Sequence, residues 1–202
     1  MAISPRALSN NHRTIQSYEG YAQDYDRLIS PLPSPDTEAA LRRIADVVGP
    51  GGTVLEIGSG PGRDADFLES LGAVVRRTDA TQAFLDLQAA RDKRGELLNV
   101  LTDDLGGPYD AVLALCVLIH IDRDATDAVL GKIAAALRPD GAFLVSLRDG
   151  AGETSGDYHT IYWRRDDFAA RLTAAGLRVE WDGRNVGRED EAWLTFLARK
   201  GR

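Results

Sequence analysis

The residues best placed for ligand chemistry fall in one stretch, Glu56-Ile57-Gly58-Ser59-Gly60-Pro61-Gly62, followed by Arg63 and Asp64. Glycines at every second position let the backbone turn tightly and let a ligand approach with no Cβ in the way. A second acid, Asp79, lies 21 residues after Gly58, the kind of spacing at which a carboxylate receives the two hydroxyls of a ribose. Together they read as a nucleotide-type cofactor site. Dinucleotide enzymes carry G-x-G-x-x-G, whereas here the third glycine comes one residue early, so a dinucleotide is disfavoured.

The neighbouring elements have to hold these groups in place. Residues 53–57 form a short β-branched and aliphatic run launched by Pro50-Gly51-Gly52, as expected of a central parallel strand. The next helix opens at once, with Phe67, Leu68 and Leu71 on one face and Gly72 where a C-terminal cap belongs. Residues 73–78 read as a second strand ending at Asp79, and Thr81 as the cap of a helix carrying Phe84, Leu85 and Leu87. A third strand is expected at 98–102, running into Asp103 and Asp104. The near-continuous apolar run from Ala111 to Ile119 marks a central fourth strand. Asp122 and Asp124 start the next helix, and residues 138–141 turn into a fifth strand at 142–147. Before the glycine turn, Ser34 and Pro35 open a helix with Leu41, Ile44, Ala45 and Val48 inward, stopped by Gly49-Pro50.

The acid, the glycine spacing, Asp79 and the Tyr109-Asp110 start of the fourth strand resemble the class I S-adenosylmethionine-dependent methyltransferases over about residues 18–199. The resemblance implies an α/β fold: a single-domain, Rossmann-like, doubly wound sheet, mostly parallel, in the order 3-2-1-4-5-7-6 with an antiparallel last strand. It implies S-adenosyl-L-methionine as cofactor and S-adenosyl-L-homocysteine as product. The expected cofactor-binding residues are Glu56, Gly58, Ser59, Gly60, Gly62, Arg63, Asp79 at the ribose, Ala80, Asp103 or Asp104 at the adenine, and Cys116 and Val117 beside the sulfonium. Tyr18, Tyr21 and Tyr25 lie on one helical face around residues 14–25, within a polar, irregular N-terminal segment of 35 residues. That segment reads as an arm, with Tyr18 and Tyr25 as candidates to cover the cofactor. Packing on the domain is the plainer use of the same face.

Methyl transfer is an in-line displacement that asks mainly for alignment and exclusion of water. Where the acceptor carries a proton a base is useful, and His120, just past the fourth strand, is the candidate. A histidine between Ile119 and Ile121 also suits a partly buried structural role. Residues 148–157 look flexible, and Tyr158, His159, Tyr162 and Trp163 after them suit either an aromatic substrate wall, with His159 a second candidate base, or an alternating strand. Two strands at 177–181 and 193–199 are expected to close the sheet.

The 202 residues suit one domain of ordinary size, with residues 1–35 as arm or lid. A net charge of −7 argues against nucleic acid, no apolar run is long enough for a membrane span, and nothing reads as a signal peptide. These features point to the cytoplasm, and the resemblance implies an enzyme of the EC 2.1.1 class, monomer or homodimer, acting on a small acceptor through oxygen, nitrogen or sulfur. A cofactor-binding module without catalysis and a nucleotide-binding oxidoreductase are the alternatives. Cys116 is the lone cysteine, so no internal disulfide forms; the three histidines lack metal-ligand spacing, and no metal is expected.

Overall fold

A computed structural model describes residues 3–187 and 190–201. At its centre β1 (Thr53–Ile57) lies between β2 (Val74–Asp79) and β4 (Tyr109–Leu115), parallel to both. β3 (Gly95–Leu97) extends the sheet past β2 and β5 (Leu137–Asp149) extends it past β4. β9 (Ala192–Lys200) runs antiparallel to β5, and β8 (Leu177–Val186) antiparallel to β9. The order is 3-2-1-4-5-9-8, the expected one once a short hairpin, β6 (Glu153–Ser155) with β7 (His159–Trp163), is set aside. The hairpin accounts for the two extra numbers.

Both faces of the sheet are covered because its strands carry apolar side chains on both. Val54, Ala111, Leu113 and Leu144 pack with Leu41 and Ile44 of α2 (Pro35–Val48) and Leu68 of α3 (Arg63–Ser70). On the other face Leu55, Val112, Phe143 and Val145 meet Val129, Leu130 and Ile133 of α5 (Arg123–Ala136) and Phe168 and Leu172 of α6 (Arg165–Ala174). Each fully buried aliphatic or aromatic side chain stabilises by about 1.5–3 kcal/mol, so these layers fix where the strand ends lie. Asp110 adds register. Its Oδ2 accepts from the Thr53 N–H at 2.7 Å and the Thr53 hydroxyl at 2.9 Å, tying the start of β4 to the start of β1.

Four expectations are corrected. The N-terminal segment is a 24-residue helix, α1 (Pro5–Leu28), opened by Ser4, whose hydroxyl accepts from Ala7 N–H, and by Pro5 at its first position. Its docked face includes buried Asn10 and Thr14 as well as Ala7 and Ala22, so hydrophobic periodicity does not reveal it. The third strand ends at Leu97, before the apolar run at 98–101, whose buried side chains fill the core outside the sheet. The fourth strand stops at Leu115, and Cys116 adopts φ +60° ahead of a single 3-10 turn, Leu118–His120. Residues 148–157 lie partly in β5 and β6, and β7 alternates, with His159, Ile161 and Trp163 buried.

Candidate functional site

The glycine turn leaves β1 with Gly58 at φ +68° and Gly60 at φ +52°. A Cβ on Gly58 would lie 2.3 Å from Val117 Cγ2, so no other residue fits without displacement. The turn is braced from behind. Gln88 of α4 (Gln82–Ala89) donates to Ser59 Oγ at 2.8 Å and Gly60 O at 2.7 Å. Buried Arg77 donates to Gly62 O at 3.1 Å while pairing with Asp66 and Glu69 at 2.7 Å each.

Asp79, at the tip of β2, is buried and accepts from Gly60 N–H through Oδ2 and from Thr81 N–H through Oδ1, each at 2.8 Å. Burial raises its pKa, and the two N–H donors oppose that rise. The Thr81 side chain and the Ala80 N–H oppose it as well, so the carboxylate is held by donors from both the glycine turn and its own loop. Thr81 stands at the N-cap of α4, but its side chain makes no capping bond. The cap comes instead from Glu19 of α1, whose carboxylate accepts from Gln82 N–H at 2.7 Å and Ala83 N–H at 2.9 Å.

Two cavities open at this edge of the sheet. The first, about 740 Å³ with its mouth, is walled by Asp79, Ala80, Phe84, Leu98, Asn99, Val100, Val117, His120 and Ile121, and roofed by Asn11, Thr14, Tyr18 and Tyr25 of α1. The second, about 1170 Å³ with its mouth, is walled by Ser59, Arg63, Asp64, Ser146 and Thr195 and by the α1–α2 connection from Ile29 to Ser34. They meet at Tyr25, Gly58, Gly60, Leu115 and Cys116. The first is of ligand-pocket size, and the second, counted with its open mouth, is somewhat larger.

Charge is unevenly satisfied around the second cavity. Arg63 donates through Nη2 to Asp26 O at 2.7 Å and Oδ1 at 3.0 Å, but its buried Nη1 has no partner. Glu56 lies buried behind the turn with Oε2 unpartnered; burial raises its pKa well above the ordinary value, and Asp64 adds to the rise. Asp64 faces the cavity, pushed up to about 6 by burial. One donor-rich cation thus stands near two under-satisfied carboxyls. Cys116 opens onto the neck, but burial pushes its thiol up to about 11, so it stays protonated at neutral pH.

His120 lines the first cavity. Its Nδ1 is 2.7 Å from His159 O and its Nε2 is 3.2 Å from the Tyr18 hydroxyl. A carbonyl only accepts, so Nδ1 carries the proton and Nε2 the lone pair. Burial holds its pKa below the usual value, which keeps the ring neutral at pH 7. Tyr18 packs on Tyr158 at 4.6 Å between ring centroids, and Tyr18 and Tyr25 both pack on Phe84.

Of the residues expected from the sequence, Tyr18, Tyr25, Gly58, Ser59, Gly60, Arg63, Asp79, Ala80, Cys116, Val117 and His120 line one or both cavities. Glu56 and Gly62 lie behind the turn, and Tyr158 touches Tyr18 and His120 from outside the walls. Asp103 and Asp104 lie elsewhere, in a groove with Lys132. Asp103 accepts from Asn99 N–H and from the Thr102 hydroxyl. The early end of β3 moves the wall to Leu98, Asn99 and Val100. The His159 ring is buried beside Asp122, and Tyr162 packs over Gly150, so neither lines these two cavities. Asn11, Thr14, Phe84 and Asn99 were not expected; Ser4-Pro5, a helix start of the same form as Ser34-Pro35, is the signal for the first two.

Residues 55–143, from β1 into β5, match the family model described as a methyltransferase domain, in keeping with the resemblance read from the sequence. No curated protein matches the chain. Among solved structures, the 1,6-didemethyltoxoflavin-N1-methyltransferase of Burkholderia thailandensis, with 1,6-didemethyltoxoflavin and S-adenosylhomocysteine bound, aligns over 100% of this chain and 92% of its own. The TM-score is 0.77 and the identity 23%. The N-methyltransferase NodS of Bradyrhizobium japonicum WM9, in complex with S-adenosyl-L-homocysteine, aligns over 94% of this chain and 100% of its own, with a TM-score of 0.77 and 18% identity. The magnesium protoporphyrin IX methyltransferase of Synechocystis PCC 6803, with S-adenosylmethionine bound, aligns over 99% of each chain, with a TM-score of 0.68 and 17% identity. At these identities the likeness is one of fold.

Proposed function

We propose that the chain is an S-adenosyl-L-methionine-dependent methyltransferase of the EC 2.1.1 class that acts on a small-molecule acceptor through an oxygen, nitrogen or sulfur atom. One observation carries the reading: two cavities of different chemistry meet at the glycine turn and Cys116. The first offers what a nucleoside needs, a carboxylate for a cis-diol and apolar walls for a flat base. The second offers what an α-amino acid needs, the unpartnered Arg63 Nη1 for a carboxylate and Asp64 for an ammonium. The cofactor joins those two parts through a sulfonium. The residues present therefore fit the group.

In this reading Asp79 receives the ribose hydroxyls, Ala80, Phe84, Leu98 and Val100 enclose the base, and Asn99 takes the adenine-edge place expected of Asp103 or Asp104. Arg63 holds the carboxylate, with Glu56 and Asp64 on the ammonium side, and Cys116 and Val117 wall the neck. The bound cofactor supplies an electrophilic methyl group. The chain aligns the acceptor behind it, excludes water beneath α1, and takes the acceptor's proton on His120 Nε2 where the acceptor has one to lose. Tyr18 would then yield its place at Nε2. Residues 1–35 act as the arm over the site, and residues 1–202 form one methyltransferase domain. The net charge of −7 suits a cytoplasmic protein, monomer or homodimer, with no affinity for nucleic acid.

The similar structure with 1,6-didemethyltoxoflavin bound, and the one named for magnesium protoporphyrin IX, support this acceptor class. The Tyr18 hydroxyl on His120 Nε2 also favours a second reading, a cofactor-binding protein without transfer. Titration calorimetry with S-adenosylhomocysteine tests the site. We expect micromolar binding that Asp79→Ala weakens by about 10- to 100-fold, the loss of hydrogen bonds to a charged acceptor. A well-folded native protein that fails to bind would overturn both readings. Binding without turnover over a panel of small hydroxyl, amine and thiol acceptors would favour the second.

A further inference from the structure

We propose that Asp122 is a positioning residue for His120 and acts through His159. The methyl-transfer reading gives His120 its use as a base; the positioning itself stands on geometry.

The chain closes a circuit here. Among the described residues the only group on His120 Nδ1 is the carbonyl of His159, and that carbonyl fixes which nitrogen holds the proton. His159 is in turn held from several sides. Its N–H donates to Thr14 Oγ1 at 3.2 Å, and its ring, wholly buried, has Nδ1 3.4 Å from Ser155 Oγ. Its Nε2 is 2.9 Å from Asp122 Oδ1, within ion-pair reach though poorly aligned for a directed hydrogen bond. Asp122, two residues beyond His120, is buried and also accepts from Asn10 Nδ2 at 2.9 and 3.2 Å and pairs with Arg6 Nε at 3.2 Å.

What marks Asp122 is the job it leaves undone. It is the N-cap residue of α5, where an aspartate ordinarily accepts from the first helical N–H groups, yet its side chain makes no such bond. Its oxygens are turned instead to α1 and β7, the elements that carry the partners of the two His120 ring nitrogens. The carboxylate thereby fixes β7 and α1 relative to the imidazole. The other ionisable groups facing His120 are Tyr18 from α1, Tyr158 and His159 at the start of β7, and Arg148 from β5.

The test is nitrogen-15 NMR of histidine-labelled protein, in which only three side chains report; His120→Gln assigns the signal. In the native protein His120 should carry its proton on Nδ1 with Nε2 bare. In Asp122→Asn the Nε2–H form should appear. With an active acceptor in hand, kcat should fall by up to about 100-fold, the lower end of what a positioned base contributes, with KM for the cofactor within about twofold. The acid limb of kcat/KM should move to lower pH, because removing a carboxylate and the Nδ1 bond both disfavour the imidazolium. If Asp122→Asn does not fold, Asn10→Ala removes two contacts to the carboxylate without touching its charge, and should give the same tautomer change in smaller measure. A folded variant with the native tautomer, or a loss of kcat with an unmoved pH profile, would overturn the proposal. The native tautomer pattern and its loss in the variant, in a protein that transfers no methyl group, would leave the positioning intact and sink the methyl-transfer reading instead.

Discussion

Asp64→Asn should make the ligand-free protein more stable and a poorer binder, and the two effects can be separated by pH. Burial pushes Asp64 from an ordinary 3.8 up to about 6. The folded state therefore holds a proton that the unfolded chain releases between those values. The stability this proton contributes is complete below about pH 4 and is lost as pH rises through 6. At about 1.4 kcal/mol for each tenfold change in acidity constant, the ionised carboxylate costs the fold roughly 3 kcal/mol at pH 8. Asparagine removes that cost but also removes a negative charge from the first turn of α3, a loss of about 0.3–1 kcal/mol. The net gain is roughly 2 kcal/mol at pH 8, or about 4–8 °C in Tm for a chain of this size. At pH 4.5 the gain should shrink to about 1 kcal/mol, because the unfolded carboxyl is mostly ionised there and the folded one is not. Calorimetric scans at the two pH values measure it, and titrations with S-adenosylhomocysteine should show affinity rising through pH 6 in the native protein and flat in the variant. An equal Tm change at both pH values, or a less stable variant at pH 8, would refute the assignment of Asp64 as a carboxyl under strain in wait for a cation.

Three further outcomes follow from contacts around the turn. Gly58→Ala places a methyl 2.3 Å from Val117 Cγ2 in a backbone region unfavourable to L side chains, and should cost about 2–4 kcal/mol in a denaturant titration and abolish cofactor binding. Glu19→Ala uncaps α4 from a distance; a loss of about 0.5–2 kcal/mol is expected, with faster proteolysis within α1. In the native enzyme the acid limb of kcat/KM should fall below pH 6.5, because burial disfavours the His120 imidazolium, and His120→Gln should remove that limb.

The central part of the site was legible because its residues are constrained by what lies next to them in sequence. Gly58 and Gly60 need a positive φ, Asp79 must end the strand beside them, and both facts are local. His120 was legible for the same reason, as the first imidazole past a buried strand. What escaped the sequence depends on distant partners. α1 docks through Asn10 and Thr14 and so lacks the apolar stripe that would announce it, and His159 looked like a wall residue until Asp122, 37 positions earlier, was seen beside it. The third strand was misplaced because Leu98, Val100 and Leu101 are buried as core outside the sheet, and an apolar run does not say which kind of burial it serves.

The partners of the first half of α1 lie far along the chain: Asp122 for Asn10, Glu153 for Arg6, His159 for Thr14, separations of 112, 147 and 145 residues. During synthesis at about 5–20 residues per second, this helix leaves the ribosome roughly 7–30 s before its seat exists. A helix with an apolar docking face would spend that interval exposed to every sticky surface in the cell. A half-helix that docks largely through asparagine, threonine and arginine can wait in water without harm, and the ligand site is then the last part of the molecule to be assembled.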